Sequence, residues 1–243
     1  MSINELRLYL NTILNKDASG NSLSPQELNL LLEACIFPFV REKIAAYRQY
    51  VMNGTPMDDV AYTGLLIDSL TKQSTATLAA GAFTVAADFM MMNDLYGTYN
   101  GQKKIEMVSP EEYSRRTHNI LSKPIAYYPV AYLINTSCKV FPTTMTAINY
   151  TYISKPAVPI FDYYTNANYQ IVYLAAGATR ALAAGEYGSL GQTSVTVTSL
   201  TAELDLPEEI HGQFADYLLS KIALRDRDIN LYQANQAEKG AQV

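Results

Sequence analysis

The sequence predicts an α+β fold: an N-terminal helical hairpin or bundle and a C-terminal helix packed together, with a β-rich region between them. Three observations predict it. Residues 1–70 carry capped apolar stripes at helical spacing, the centre carries short alternating runs punctuated by Pro and Gly, and the last segment returns to a helical stripe. The regions run 1–74 (helical), 75–204 (β-rich) and 205–243 (a C-terminal helix packing on the N-terminal ones).

Ser2 and Glu5 form a capping-box pattern, after which Ile3, Leu6, Leu10, Ile13 and Leu14 recur at helical spacing. A polar turn, Lys16 to Asn21, follows. Ser24 as cap, Pro25 at the first helical position and Glu27 three residues after the cap start a second helix. Leu28, Leu31, Leu32, Cys35 and Phe39 make its stripe; Pro38 should kink or break it, with a continuation through Tyr50. Thr55-Pro56-Met57-Asp58 repeats the cap pattern and launches a third helix to about Leu70.

From about Thr75 the period changes. Ala126–Leu133, Cys138–Phe141, Ile148–Ile153, Tyr169–Leu174 and Ser194–Leu200 are the strand candidates. Prolines 124, 129, 142, 156 and 159 bound them, and Ser109-Pro110-Glu111-Glu112 opens one short helix. Residues 177–191, rich in Gly and Ala, read as a mobile arm or long loop that makes contacts. In the last helix Asp205 is the expected cap, Pro207 sits near the first turn, and Ile210, Phe214, Leu218 and Ile222 recur at steps of four. The alternating charges Arg225-Asp226-Arg227-Asp228 suit solvent or a subunit contact.

Length and composition narrow the function. A chain of 243 residues with 49% hydrophobic and 17% charged residues buries a core without staples. Net charge −5 opposes a surface built to grip nucleic-acid phosphates. Two distant cysteines, Cys35 and Cys138, suggest neither a disulfide framework nor a thiolate metal site. The start, Met1 to Glu5, lacks the pattern of a signal peptide, and no stretch approaches the ~20 apolar residues of a membrane span. A cytoplasmic origin is therefore expected. Tryptophan is absent, yet there are 19 tyrosines, twelve of them between Tyr96 and Tyr173. Tyrosine suits partly wet interfaces, and equally a β-sheet face.

No constellation for chemistry emerges, so no catalytic residue, metal ligand or cofactor is assigned. Glu208 and His211 make one Glu-x-x-His pair, half of a carboxylate-bridged di-metal site whose second copy is missing. Asn15, Asp17, Ser19 and Gly20 fall at calcium-loop positions, but Gln26 stands where a bidentate Glu is required and Ser22 where an apolar residue belongs. Ser114 to His118 are adjacent helical residues that point different ways. Cys35 lies on an apolar stripe and reads as core.

The order of several local motifs resembles a known family. Leu14 to Gly20 followed by Leu23 to Asn29 resembles the N-terminal helical hairpin of head-to-tail connector proteins, the ring or tail-adaptor proteins of crAss-like and related Bacteroides tailed phages. Asp88-Phe89-Met90, Pro124 and Pro129, Lys139-Val140-Phe141-Pro142 and Tyr150 to Pro156 follow the order of that family's β part. Leu206 to His211 matches its last element. The chain departs from the family at Ala86-Ala87, where members often carry Leu-Pro.

The resemblance implies a non-enzymatic virion protein. It would be a homo-oligomer, a twelve-fold ring between portal and tail that continues the DNA channel, reads no DNA sequence, touches no membrane and docks the next neck or tail component. A closed ring needs two different complementary faces on each subunit. The expected contact residues are Tyr127, Tyr128, Tyr132, Tyr163, Tyr164 and Tyr187, with Arg225 and Arg227. The competing expectation is a cytoplasmic binding module holding a small ligand or peptide against the Tyr-rich β region.

Overall fold

Backbone capping and apolar spacing set the helices of the computed structural model, which describes residues 1–14, 23–54, 57, 59–98, 101–121 and 123–225. Helix α1 (Ile3–Ile13) starts on the Ser2/Glu5 capping box, with the Ser2 N–H donating to the Glu5 carboxylate at 2.7 Å. Helix α2 (Pro25–Asn53) starts on the Ser24/Glu27 box and ends on Gly54, whose left-handed φ of +64° suits a residue without Cβ. Buried Asn11 of α1 ties the residue before the α2 cap, its side-chain oxygen accepting the Leu23 N–H at 3.0 Å. Helix α3 spans Val60–Leu70; the cap residues Thr55, Pro56 and Asp58 lie outside the described residues, as does most of the calcium-like turn.

Pro38 does not break α2, and the expected continuation through Tyr50 is part of the same helix. Both Pro38 and Ala34, whose carbonyl loses its helical donor, lie on the exposed face. Water can serve that carbonyl, so the helix continues.

The chain divides into two compact units. The sheet unit, Leu70–Lys155, is continuous in sequence. One of its sheets has the order β1 (Thr71–Thr77), β8 (Ala147–Ser154), β3 (Phe89–Thr98) and β4 (Gln102–Lys104), all pairs antiparallel. The other runs β2 (Ala82–Thr84), β7 (Ser137–Phe141), β6 (Val130–Ile134) and β5 (Glu106–Met107), with β5 parallel to β6. Inward residues from both sheets share one core, including Phe83, Leu95, Cys138, Val140, Ile148 and Tyr150. Gly97 in β3 lets Met145 lie over it: a Cβ there would meet the Met145 sulfur at 2.8 Å. Helix α4 (Pro110–His118), capped by Ser109, packs Tyr113 on Tyr132 of β6 with ring centroids 4.3 Å apart.

The helix-bearing unit joins residues 1–69 to 156–243. Helix α5 (Glu208–Arg225) buries Ile210, Phe214, Leu218 and Ile222, the expected stripe. Phe214 and Tyr217 meet Phe39 of α2 at 5.1 and 5.4 Å, so the C-terminal helix packs on the N-terminal ones as the sequence predicts. Residues 156–204 therefore belong with the helices, and the expected single β-rich region of 75–204 is split between the units. Long-range hydrogen bonds cause this. The Asn29 amide exchanges two bonds with the Phe161 backbone, at 2.8 and 3.0 Å, and the Ile3 N–H donates to Glu203 at 2.7 Å. Short strands complete the unit: β9 (Tyr163–Thr165) between β10 (Ile171–Tyr173) and β12 (Tyr187–Gly188), and β11 (Thr179–Ala181) beside β13 (Thr196–Thr198).

Two further expectations need correction. Residues 177–191 are not a free arm. They contain β11 and β12, bury Leu182, and hold Arg180 at 2.7 Å from Glu186 and 4.3 Å from the centre of the Tyr164 ring. Asp205 is not the cap of α5; its carboxylate accepts the Ala157 N–H at 3.4 Å.

Candidate interaction surfaces

Several polar groups able to do chemistry are tied up in structure among the described residues. The His211 ring accepts at Nδ1 from the Met1 amino group, 3.0 Å away, and donates from Nε2 to the Leu206 carbonyl at 2.9 Å. Glu208 takes the same amino group at 3.3 Å, so the Glu-x-x-His pair serves as a clamp on Met1. His118 turns back to the Ser114 carbonyl at 2.8 Å. Arg115 and Arg116 both bind Glu112 and hold its carboxyl down at about 2, while Arg116 also reaches Glu106 at 2.7 Å. Cys35 and Cys138 are buried; burial raises both thiols, Cys138 to about 12, which suppresses the thiolate. Among the described residues, no group of three or more His, Cys, Asp or Glu is placed to hold a metal ion. Nor is any described helix long and apolar enough to cross a membrane.

The predicted tyrosines separate into three groups. Tyr163 and Tyr164 are buried, against Phe161 and Leu174 respectively, so as expected contact residues they are corrected to core. The cause is that β9 is flanked on both sides by strands that follow it in the chain, β10 and β12, which residue type alone does not reveal. Tyr132 is half-buried under Tyr113. Tyr127, Tyr128 and Tyr187 are exposed. Arg225 is the last residue of α5, and Arg227 lies outside the described residues.

Apolar side chains left in water mark two surfaces that tyrosine counting missed. In the helix-bearing unit, α2 buries nothing beyond Ile44; its last nine residues, about 13 Å of helix, carry exposed Tyr50, Val51 and Met52. Helix α3 reads Val-Ala-Tyr-Thr-Gly-Leu-Leu-Ile-Asp-Ser-Leu, mostly apolar, with Asp68 and Ser69 exposed. It buries Leu66 and Leu70 and leaves Tyr62 and Leu65 outside, with Leu65 47% exposed. Large apolar side chains exposed on a regular helix offer a surface that a partner can cover. Beside it, a groove of about 550 Å³ has Leu65, Leu204 and Leu206 on its walls and Asp68, Asp205 and Glu209 among its lining.

In the sheet unit, the connection from α4 to β6 carries Ile120 (91% exposed), Leu121 (97%), Ile125, Tyr127 and Tyr128. The segment is shaped locally: the Asn119 side chain accepts the Leu121 N–H at 2.9 Å, and the Tyr128 N–H returns to the Ile125 carbonyl at 2.9 Å. Its charge is basic. Lys103 sits 5.1 Å over the Tyr127 ring and Lys123 5.6 Å over the Phe141 ring. Covering Ile120 and Leu121 would gain about 1.5–3 kcal/mol for each side chain, before the cost of ordering the partners.

Two cavities border tyrosines of the β region. The one lined by Tyr163 holds about 20 Å³, room for a water. The depression beside Tyr132 is about 300 Å³ and lies open along the β6–β7 hairpin. No family model matches the chain, and no curated protein is significantly similar to it.

Proposed function

We propose that this chain is a non-catalytic structural subunit of a multi-copy assembly. The observation that carries the reading is the pair of uncovered apolar surfaces, the α2–α3 end of the helix-bearing unit and the 119–128 connection of the sheet unit. Exposed apolar surface of this kind is the mark of a contact site, and among the described residues no group of three or more His, Cys, Asp or Glu is placed to hold a metal ion.

The assembly we propose is the ring between portal and tail of a tailed-phage neck, found in the virion and built in the host cytoplasm. It would extend the DNA channel and seat the next tail component. The support is the order of the hairpin, β and C-terminal motifs in the sequence, together with a helical layout in which α5 closes on α2. A net charge of −5 suits a conduit that releases passing DNA. Mass photometry of the purified chain, alone and with portal and neck proteins of its own genome, tests the proposal. A closed ring of fixed copy number, twelve on the family resemblance, is expected in at least one mixture. A chain that stays monomeric beside all of them sinks it.

A further inference from the structure

The groove beside α3 and the connection after α4 are complementary in polarity and charge. The groove is lined by Leu65, which is exposed, by Leu204 and Leu206, which are largely buried, and by three carboxylates, Asp68, Asp205 and Glu209. Among the described residues, neither Asp68 nor Glu209 forms an ion pair. The connection presents the inverse: the adjacent apolar side chains of Ile120 and Leu121 stand almost wholly in water, and exposed Lys123 follows, with no acidic residue from Asn119 to Pro129. Apolar surface that its own chain leaves uncovered, beside a charge opposite to that of an uncovered groove, fits a head-to-tail contact.

We infer that the groove of one copy, walled by α3 and the approach to α5, receives Ile120 and Leu121 of a second copy, with Lys123 facing the carboxylates. The inference rests on the proposed multi-copy assembly and names the two faces that build it. The faces differ, so each copy gives one and receives one, and the contact propagates without using itself up. Isologous pairing of two grooves would set three carboxylates against three, and pairing of two connections would set Lys123 against Lys123; both are repulsive.

Cysteine cross-linking tests the contact directly. The chain has only Cys35 and Cys138, both buried, so an added surface thiol reacts without competition. Two full-length variants, Leu65→Cys and Leu121→Cys, are oxidised separately and as an equal mixture. The mixture is expected to form a disulfide-linked dimer at least ~10-fold faster than either variant alone, because docking raises the effective thiol concentration only across unlike faces. Adding Lys123→Glu to the Leu121→Cys chain should slow it, and adding Glu209→Lys to the Leu65→Cys chain should restore it. Circular dichroism confirms that each variant is folded. Equal rates in all three samples, or faster coupling of Leu121→Cys with itself, overturns the inference. A fixed-copy ring seen by mass photometry alongside equal cross-linking rates would leave the assembly standing and remove only this contact.

Discussion

The helix-bearing unit and the sheet unit both leave large apolar side chains in water, but by different means. In the first, the exposed residues are built into regular structure: the nine residues of α2 beyond Ile44, and the outer face of α3. Their backbone is satisfied by the helix itself, so the surface is rigid before any partner arrives. In the second, the two sheets close their core completely around residues such as Leu95 and Ile148, and the uncovered residues gather in the connection from α4 to β6. There the backbone is held by single bonds, from Leu121 to Asn119 and from Tyr128 to Ile125. The difference teaches how each surface is built: one on helix faces beside the approach to α5, the other on a connection shaped by local side-chain and backbone bonds.

Core truncation should break each unit most severely. Phe214→Ala removes a fully buried ring packed on Phe39, and a loss of about 3–5 kcal/mol is expected by denaturant unfolding. Leu95→Ala in the sheet core should lose about 2–5 kcal/mol, with hydrogen exchange accelerating first in β3 and β8. A change in β3 and β8 caused by Phe214→Ala alone would blur the division into two units.

Removal of a cap probes the preformed helical surface at a smaller scale. Ser24→Ala leaves the Glu27 N–H without its acceptor and should cost about 1 kcal/mol, read from the same unfolding curve. On the sheet side, acid is the finer tool. Glu112 is held at about 2 from an ordinary 4.5 by Arg115 and Arg116, so its contribution is complete above pH 4.5 and is lost as the pH falls toward 2. Glu112→Gln should flatten the acid dependence of α4 helicity in that window, followed by NMR. The smallest effect belongs to the connection: Leu121→Ser, at a side chain almost wholly in water, should shift stability by less than about 0.5 kcal/mol in dilute solution.

Much of the helical architecture was legible in the sequence because capping and periodicity are local. Ser2/Glu5, Ser24/Glu27 and Ser109 start helices where their spacing says they should, and the steps of four from Ile210 to Ile222 name the face of α5 that packs. Strands were legible in part. Cys138–Phe141 and Ile148–Ile153 emerge almost unchanged, whereas β1 stayed hidden because Thr-Lys-Gln-Ser-Thr-Ala-Thr has no apolar alternation; it is an edge strand, with polar residues facing water. The candidate surfaces were the least legible. Tyr163 and Tyr164 share their residue type with Tyr127 and Tyr128, and only the flanking strands β10 and β12 separate core from surface.

By itself the sequence determined the fold class, the starts of α1, α2 and α4, and the packing face of the last helix. Each depends on residues a few positions apart, where backbone geometry converts spacing directly into direction. Only the tertiary structure decided that residues 156–204 return to the helices, that Pro38 falls on an outward face, and that Ile120, Leu121 and Leu65 are left uncovered. Burial is a property of what lies opposite a side chain, and for these residues the opposite element, where there is one, is far away along the chain.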